Sequence, residues 1–201
     1  VGFGSFYTVP PLLAAKWNKI PIVLHTADSI PGRVIKVFSP YAAAIGTNFP
    51  IESLKGNVQV VGIPLRKGFQ KGLLSLSEAR EYFRLDPNVP TILVFGGSHG
   101  AQAINELFAE AAKNHLDLMR PFQVIHVTGD PKQTPALIKE YAEAGIRACV
   151  KDFESQMNYA WAAADCVVAR AGAATIAEQV EYEVPGVLIP YPFAMDNHQD
   201  H

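Results

Sequence analysis

Cysteine is scarce in this sequence. Its 201 residues contain only Cys149 and Cys166, each inside a short apolar run, so the pair reads as two buried thiols rather than a disulfide framework or a thiolate zinc site. That usage suits a reducing compartment. An excess of one charge is missing too: 17 Lys and Arg against 19 Asp and Glu leave a net charge of −2, which gives no electrostatic ground for binding nucleic acid. No apolar run is long enough to span a bilayer, and no basic segment followed by an apolar stretch marks a leader at Val1. Repeats and low-complexity tracts are absent. Intrinsic disorder is excluded by what is present, since 49% hydrophobic against 18% charged residues can bury a core. The chain opens at Val1 inside a Gly/aromatic run and stops at His201 after a Pro-rich loop, so it reads as a piece of a longer protein.

Short apolar runs alternate with helical patterns. Residues 20–25 (IPIVLH), 91–95 (TILVF), 124–128 (VIHVT), 166–169 (CVVA) and 186–190 (GVLIP) have strand length and the continuous apolarity of strands covered on both faces. Residues 103–114 and 135–144 carry apolar positions at helical spacing. The second of these helices is expected to start with Thr134 as N-cap and Pro135 at the first position, and to close at Gly145. Strands alternating with helices predict parallel βαβ units, and the class is α/β. Between residues 63 and 90 a mixture of Pro, Gly and charge with one short helix interrupts the alternation, placing a domain junction near Pro64. Upstream lies a partial unit of two or three strands. Downstream lies a nearly complete doubly wound half of about five strands.

Two strand-to-helix turns are rich in glycine and small residues. In the first, Gly96, Gly97, Ser98, His99 and Gly100 follow the strand at 91–95. Glycines admit close backbone approach, and the next helix offers free N–H groups at its positive end, so the turn is either an anion site to which Ser98 adds a hydroxyl, or a tight turn with purely steric needs. In the second, residues 169–178 (ARAGAATIAE) open a helix that runs to about Glu183 and is ended by Pro185. Glu178 falls about a turn and a half into it. There its carboxylate would accept hydrogen bonds from a ribose diol while the helix-end amides hold a diphosphate; the competing reading is a solvated carboxylate on a helix face. Paired with the first turn, the nucleotide reading is preferred.

Residues 190–199 leave the carboxyl end of a strand, the edge at which open α/β sheets bind ligands, and Asp196, His198 and Gln199 suit hydroxyl groups there. Asp196, His198 and His201 match no established metal spacing, and no D-x-D pair is available to clamp a metal-bound diphosphate, so neither metal nor cofactor is expected. The charge of a leaving group would then be met by amides and helix dipoles. His25, at the end of its apolar run beside Thr26 and Asp28, either faces a cleft or is a satisfied, partly buried histidine, as is His126. A hydrolase elbow G-x-S-x-G is absent around Ser98. Phe3, Phe6, Tyr7 and Trp17 read as core or interface aromatics.

Five motifs in order, GGSHGAQAIN (96–105), VTGD (127–130), VKDFESQM (150–157), ARAGAATIAE (169–178) and VPGVLIPYPFAMDNHQ (184–199), resemble the MurG family of peptidoglycan N-acetylglucosaminyltransferases. Upstream, residues 1–25 and VGIPLR (61–66) look like the later part of that family's N-terminal domain and its entry to the second domain. The resemblance implies a GT-B fold of two Rossmann-like domains, the N-terminal one only partly present, with residues 1–64 from the acceptor domain and 65–201 forming most of the UDP-sugar donor domain. Carried over residue by residue, Gly96, Gly97 and Ser98 would meet the donor diphosphate, with Arg66 at the hinge near it. The uracil would be read by backbone near Phe153 and Glu154. Ala173, Ala174 and Thr175 would supply helix-end contacts, Glu178 would hold the ribose, and His198 with Gln199 would hold the sugar hydroxyls.

The implied reaction is an inverting transfer of N-acetylglucosamine from UDP-N-acetylglucosamine to a polyprenyl-linked muramyl-pentapeptide, at the cytoplasmic face of the bacterial inner membrane, with the protein bound peripherally. The family's proposed base precedes Val1, so this chain alone is expected to be inactive. Two departures bear on substrate choice. The family's His-Glu-Gln-Asn stands here as His25-Thr26-Ala27-Asp28, so Asp28 lacks the amide donor of that binding position, and the usual Gln after the turn serine is His99. Rival readings are a UDP-N-acetylglucosamine 2-epimerase-like isomerase and a non-catalytic nucleotide-sugar-binding subunit.

Overall fold

A computed structural model describes residues 1–97, 101–114 and 121–190. They form two compact units that divide between Leu65 and Arg66.

The first unit holds a three-stranded parallel sheet, β1 (Val23–Thr26), β2 (Ala44–Thr47) and β3 (Val58–Val60), in the order β1-β2-β3. Val23 stands opposite Ala44, and Ile45 opposite Val58. Helices α1 (Val9–Trp17) and α2 (Arg33–Phe38) close Leu12, Ile35 and Phe38 over Leu24 and Ile45. β1 starts three residues later than the apolar run suggests. Ile20 N–H turns back to the Ala15 carbonyl at 2.8 Å to finish the turn after α1, and Pro21 has no N–H to offer a ladder. His25 is satisfied within this unit, its Nε2 lying 3.0 Å from the Gly62 carbonyl oxygen.

The second unit is a five-stranded, all-parallel sheet: β4 (Thr91–Phe95), β5 (Gln123–Val127), β6 (Arg147–Lys151), β7 (Cys166–Arg170) and β8 (Gly186–Ile189), in the order β6-β5-β4-β7-β8. Ile92 is paired with Val124 on one side and Cys166 on the other. The chain thus winds outward from β4 in one direction, then restarts at β7 in the other. This doubly wound order leaves a crevice outside the carboxyl ends of the strands where the direction reverses. α3 (Leu76–Tyr82), α4 (Gln102–Asn114), α5 (Thr134–Glu143), α6 (Met157–Ala163) and α7 (Ala173–Tyr182) supply the remaining layers. The class is α/β, as the alternation predicts.

Local chemistry sets several boundaries. α3 opens with a capping box in which Ser75 and Glu78 bond each other's backbone N–H. α5 departs from the expectation at its start: the N-cap is Gln133, without a side-chain bond, and Thr134 is the first helical residue. The Thr134 hydroxyl instead meets Thr128 Oγ1 at 2.8 Å and the Asp130 carbonyl, while the Asp130 carboxylate accepts from Lys132 N–H. Gly145 takes a left-handed φ of 69° directly after the helix, where a chiral residue would be strained. Burial on both faces holds for β5, buried along its whole length, but not for the edge: Gly186 and Val187 of β8 are exposed. Cys149 and Cys166 are free and only partly buried, and burial pushes the Cys149 thiol up. Among the described residues no helix is long and apolar enough to cross a membrane, and no group of His, Cys, Asp and Glu could hold a metal ion.

Candidate functional site

A cleft of about 220 Å³ opens in the second unit at the carboxyl edge of the sheet. β4 contributes Phe95 and the following Gly97, β5 contributes Val127 and the following Gly129, and the loop after β6 contributes Asp152, Phe153 and Glu154. Met157 enters from α6, Ala174, Thr175 and Glu178 from α7, and Arg66 from the segment ahead of α3. The cleft thus lies outside the carboxyl ends of β4, β5 and β6, the edge at which doubly wound sheets bind ligands.

Gly97 is required by its backbone and not by crowding. Its φ is 91°, and a Cβ built there would meet nothing within 4 Å. The turn therefore leaves open space above a backbone that can approach a ligand. Opposite it, α7 begins at Gly172, an N-cap with extended φ and ψ and no side-chain hydrogen bond. Among the described residues no side chain hydrogen-bonds to the first amides of this ten-residue helix, and Ala174 and Thr175 bring that positively polarised end to the cleft. Arg66 adds a full positive charge on the same rim.

The two glutamates of the cleft differ. The buried carboxylate of Glu154 accepts from Lys151 Nζ at 2.5 Å, from Gln156 N–H at 2.7 Å and from the Tyr82 hydroxyl at 3.2 Å. Burial pushes this carboxyl up, but those bonds outweigh it and hold it below its ordinary range. Glu154 thus offers the cleft its backbone only. Glu178 accepts from the Trp161 indole Nε1–H at 2.7 Å through Oε2, and among the described residues Oε1 has no hydrogen-bond partner. Burial raises its carboxyl, and the Trp161 bond and the Arg66 charge pull it only partly back. Phe153 is exposed, leaving an aromatic face at the rim.

The cleft gathers Arg66, Gly97, Phe153, Glu154, Ala174, Thr175 and Glu178 of the sequence-expected site. Gly96 and Ala173 are neighbours of lining residues, each half-buried, and do not themselves line it. Asp28 is exposed in the bend after β1 and belongs to the first unit. Ser98, His198 and Gln199 lie outside the described residues, as do His99 and Asp196. Phe95, Val127, Gly129, Asp152 and Met157 line the cleft without having been singled out; the carboxyl ends of the strands were the signal for the first four. Trp161 was missed as well, because its link to Glu178 exists only once α6 packs on α7.

The model for the glycosyltransferase family 28 C-terminal domain matches residues 91–201, and that for the family 28 N-terminal domain matches residues 1–47. A protein of Protochlamydia amoebophila (strain UWE25), named a UDP-N-acetylglucosamine--N-acetylmuramyl-(pentapeptide) pyrophosphoryl-undecaprenol N-acetylglucosamine transferase, is 51% identical over 100% of this chain and 53% of its own length. One of Chlamydia pneumoniae with the same name is 36% identical over 100% of this chain and 54% of its own length. The crystal structure of Acinetobacter baumannii MurG superposes with a TM-score of 0.79 at 29% identity, over 99% of this chain and 54% of that one. The chain spans about half the length of the curated relatives it matches.

Proposed function

This chain belongs to glycosyltransferase family 28, and we propose that the complete protein transfers N-acetylglucosamine from UDP-N-acetylglucosamine to a lipid-linked muramyl-pentapeptide in peptidoglycan synthesis. Its fold is α/β of the GT-B type, and the motif resemblance to the MurG family agrees with the relatives. In the proposed division, residues 1–64 belong to the acceptor domain and 65–201 to the donor domain. The observation that carries the reading is the cleft itself. Among the described residues one carboxylate oxygen of Glu178 has no hydrogen-bond partner there, about a turn and a half from a helix start whose N-cap makes no side-chain bond and across from a positive-φ glycine turn.

A uridine diphosphate moiety fits that chemistry. The α7 amides at Ala174 and Thr175, with Arg66, would take the diphosphate charge, and Ser98 would add its hydroxyl. Glu178 would accept from the ribose diol. Backbone at Phe153 and Glu154 would read the uracil edge, the Glu154 side chain being occupied elsewhere. His198 and Gln199 would hold the sugar. As an acceptor hydroxyl attacks the anomeric carbon, the bond to the diphosphate oxygen breaks and the ring passes through an oxocarbenium-like state. Negative charge then grows on the departing diphosphate, where preorganised amides stabilise the transition state more than the ground state. The acceptor and the base are assigned to the other domain, and the site of action to the cytoplasmic face of the membrane, with peripheral attachment.

Calorimetric titration of the complete protein with UDP-N-acetylglucosamine, UDP-glucose and UDP tests the donor assignment. Binding of the first and last, weakened on the order of tenfold or more in Glu178→Ala because a bond to a charged acceptor is lost, is expected. Absence of binding by every uridine nucleotide would overturn the donor site.

A further inference from the structure

We propose that Trp161 is a positioning residue that aims Glu178 at the ribose and so makes the cleft prefer a ribonucleotide over its 2′-deoxy form; this rests on the reading that the cleft holds a uridine diphosphate. Glutamate on a helix is a flexible side chain, and at a half-open rim it would ordinarily sample several rotamers in water. Here one oxygen is tied down. The indole Nε1–H of Trp161 donates to Oε2 at 2.7 Å, a short bond to a charged acceptor.

The donor is itself immobile. Trp161 is 1% exposed. Its ring is met edge-on by Phe95 at 5.7 Å and stacked by Tyr182 at 6.3 Å with an interplanar angle of 18°. Tyr182 is in turn met edge-on by Phe69 at 6.4 Å. Trp161 lies four residues after Met157 on α6, so the two share a helix face: Met157 lines the cleft and the indole sits one turn further on. An indole has one polar hydrogen and no acceptor, so it can engage Glu178 in one way only.

The consequence is a division of labour within one carboxylate. Oε2 is consumed by the protein, while Oε1 has no partner among the described residues and remains for the ligand. A partly buried oxygen that expects two vicinal hydroxyl donors loses part of its satisfaction when the 2′-hydroxyl is missing, and the cost is that of an unmade bond to a charged group. A carboxylate free to swing into solvent would recover that loss from water. Selectivity therefore depends on the clamp as well as on the carboxylate.

The test compares Kd for UDP and 2′-deoxy-UDP in the complete protein, in Trp161→Phe, in a protein with benzothienylalanine placed at position 161 as an isostere without the N–H, and in Glu178→Ala. Unaltered protein should prefer UDP by about tenfold, the value of one hydrogen bond to a charged acceptor. Both replacements of Trp161 should reduce that preference to about twofold while leaving the affinity for 2′-deoxy-UDP within about threefold. General structural damage would weaken both ligands alike and keep their ratio. The isostere preserves packing, so loss of folding in Trp161→Phe does not remove the test. A ratio unchanged in both replacements, with the preference abolished in Glu178→Ala, overturns the role of Trp161 alone. A ratio and a UDP affinity unchanged in Glu178→Ala overturn the nucleotide reading on which it rests.

Discussion

Acidification should destabilise the second unit through one histidine, by an amount its surroundings fix. His126 sits fully buried on β5, with Nδ1 2.8 Å from the Tyr141 hydroxyl and Nε2 3.0 Å from Asn105 Oδ1. The Asn105 amide nitrogen already donates to the Thr128 carbonyl and to Gln133 Oε1, both at 3.0 Å, so its oxygen is turned to the ring. Nε2 therefore carries the proton, and Nδ1 accepts from Tyr141. A second proton would have to enter at Nδ1, against a hydroxyl already pointing its hydrogen there. Burial lowers the histidine to about 4 from its ordinary 6.5. Above 6.5 both folded and unfolded chains hold it neutral and nothing is lost. Below 6.5 the unfolded chain takes up a proton that the folded chain refuses, so stability falls as pH drops, and the loss levels off below the folded value. Linkage puts this loss at about 2 kcal/mol by pH 5 and about 3 kcal/mol by pH 4. His126→Phe should be less stable at pH 7, since Asn105 and Tyr141 lose a partner, at about 2 kcal/mol. Its urea-unfolding free energy should then fall less steeply from pH 7 to pH 4, so that the two curves meet near pH 5 and cross below it; carboxylates and other histidines contribute equally to both. Parallel curves across that range would refute the assignment.

Gly186→Ala should cost about 3 kcal/mol by overpacking, read as a fall in Tm, because the new Cβ would run into the carbonyl oxygen, carbonyl carbon and side chain of Val167 on the paired strand, where backbone cannot yield without breaking the ladder. Arg80→Met should cost a similar amount, about 3 kcal/mol, in urea unfolding. The buried guanidinium donates to the Ala163 and Pro87 carbonyls and pairs with Asp165, whose carboxylate also takes Thr91 N–H at 2.7 Å. A near-neutral Arg80 variant would mean that water replaces those bonds.

The strands that sequence located best are the ones whose environment is uniform. Residues 91–95 read as a strand and form β4 without a shift, because a central parallel strand is apolar on both faces. β6 is bounded by Arg147 and Lys151 and is only partly buried, so its pattern is diluted. β2 and β3, with Gly46 and Gln59 inside them, carry too few apolar residues to stand out from loops. The candidate site divides the same way. Gly97 and the opening of α7 were legible because a backbone need is written into residue type at a fixed place after a strand. Met157 and Trp161 were not, since each acquires its neighbour from tertiary packing and leaves no periodic trace.

Polar residues of the second unit separate once their hydrogen bonds are followed atom by atom. Gln123 is wholly buried and spends its amide on Asp86, Val89 and Thr91, tying the segment before β4 to β5. Glu154 is engaged by a lysine, a backbone amide and a tyrosine. Residue type alone ranks Glu154 and Glu178 alike, as acids near a strand's carboxyl edge. Burying a carboxylate is costly unless its oxygens are bonded, so the protein completes the shell of Glu154 and ties it into the scaffold. At Glu178, which lines the cleft, it completes half among the described residues. Partial burial also raises the carboxyl of Glu178, so in the proposed donor site it would meet a ribose hydroxyl from a less solvated position than a surface glutamate would. The difference between scaffold and proposed site in this cleft is thus the bonding capacity each acid has left among the described residues.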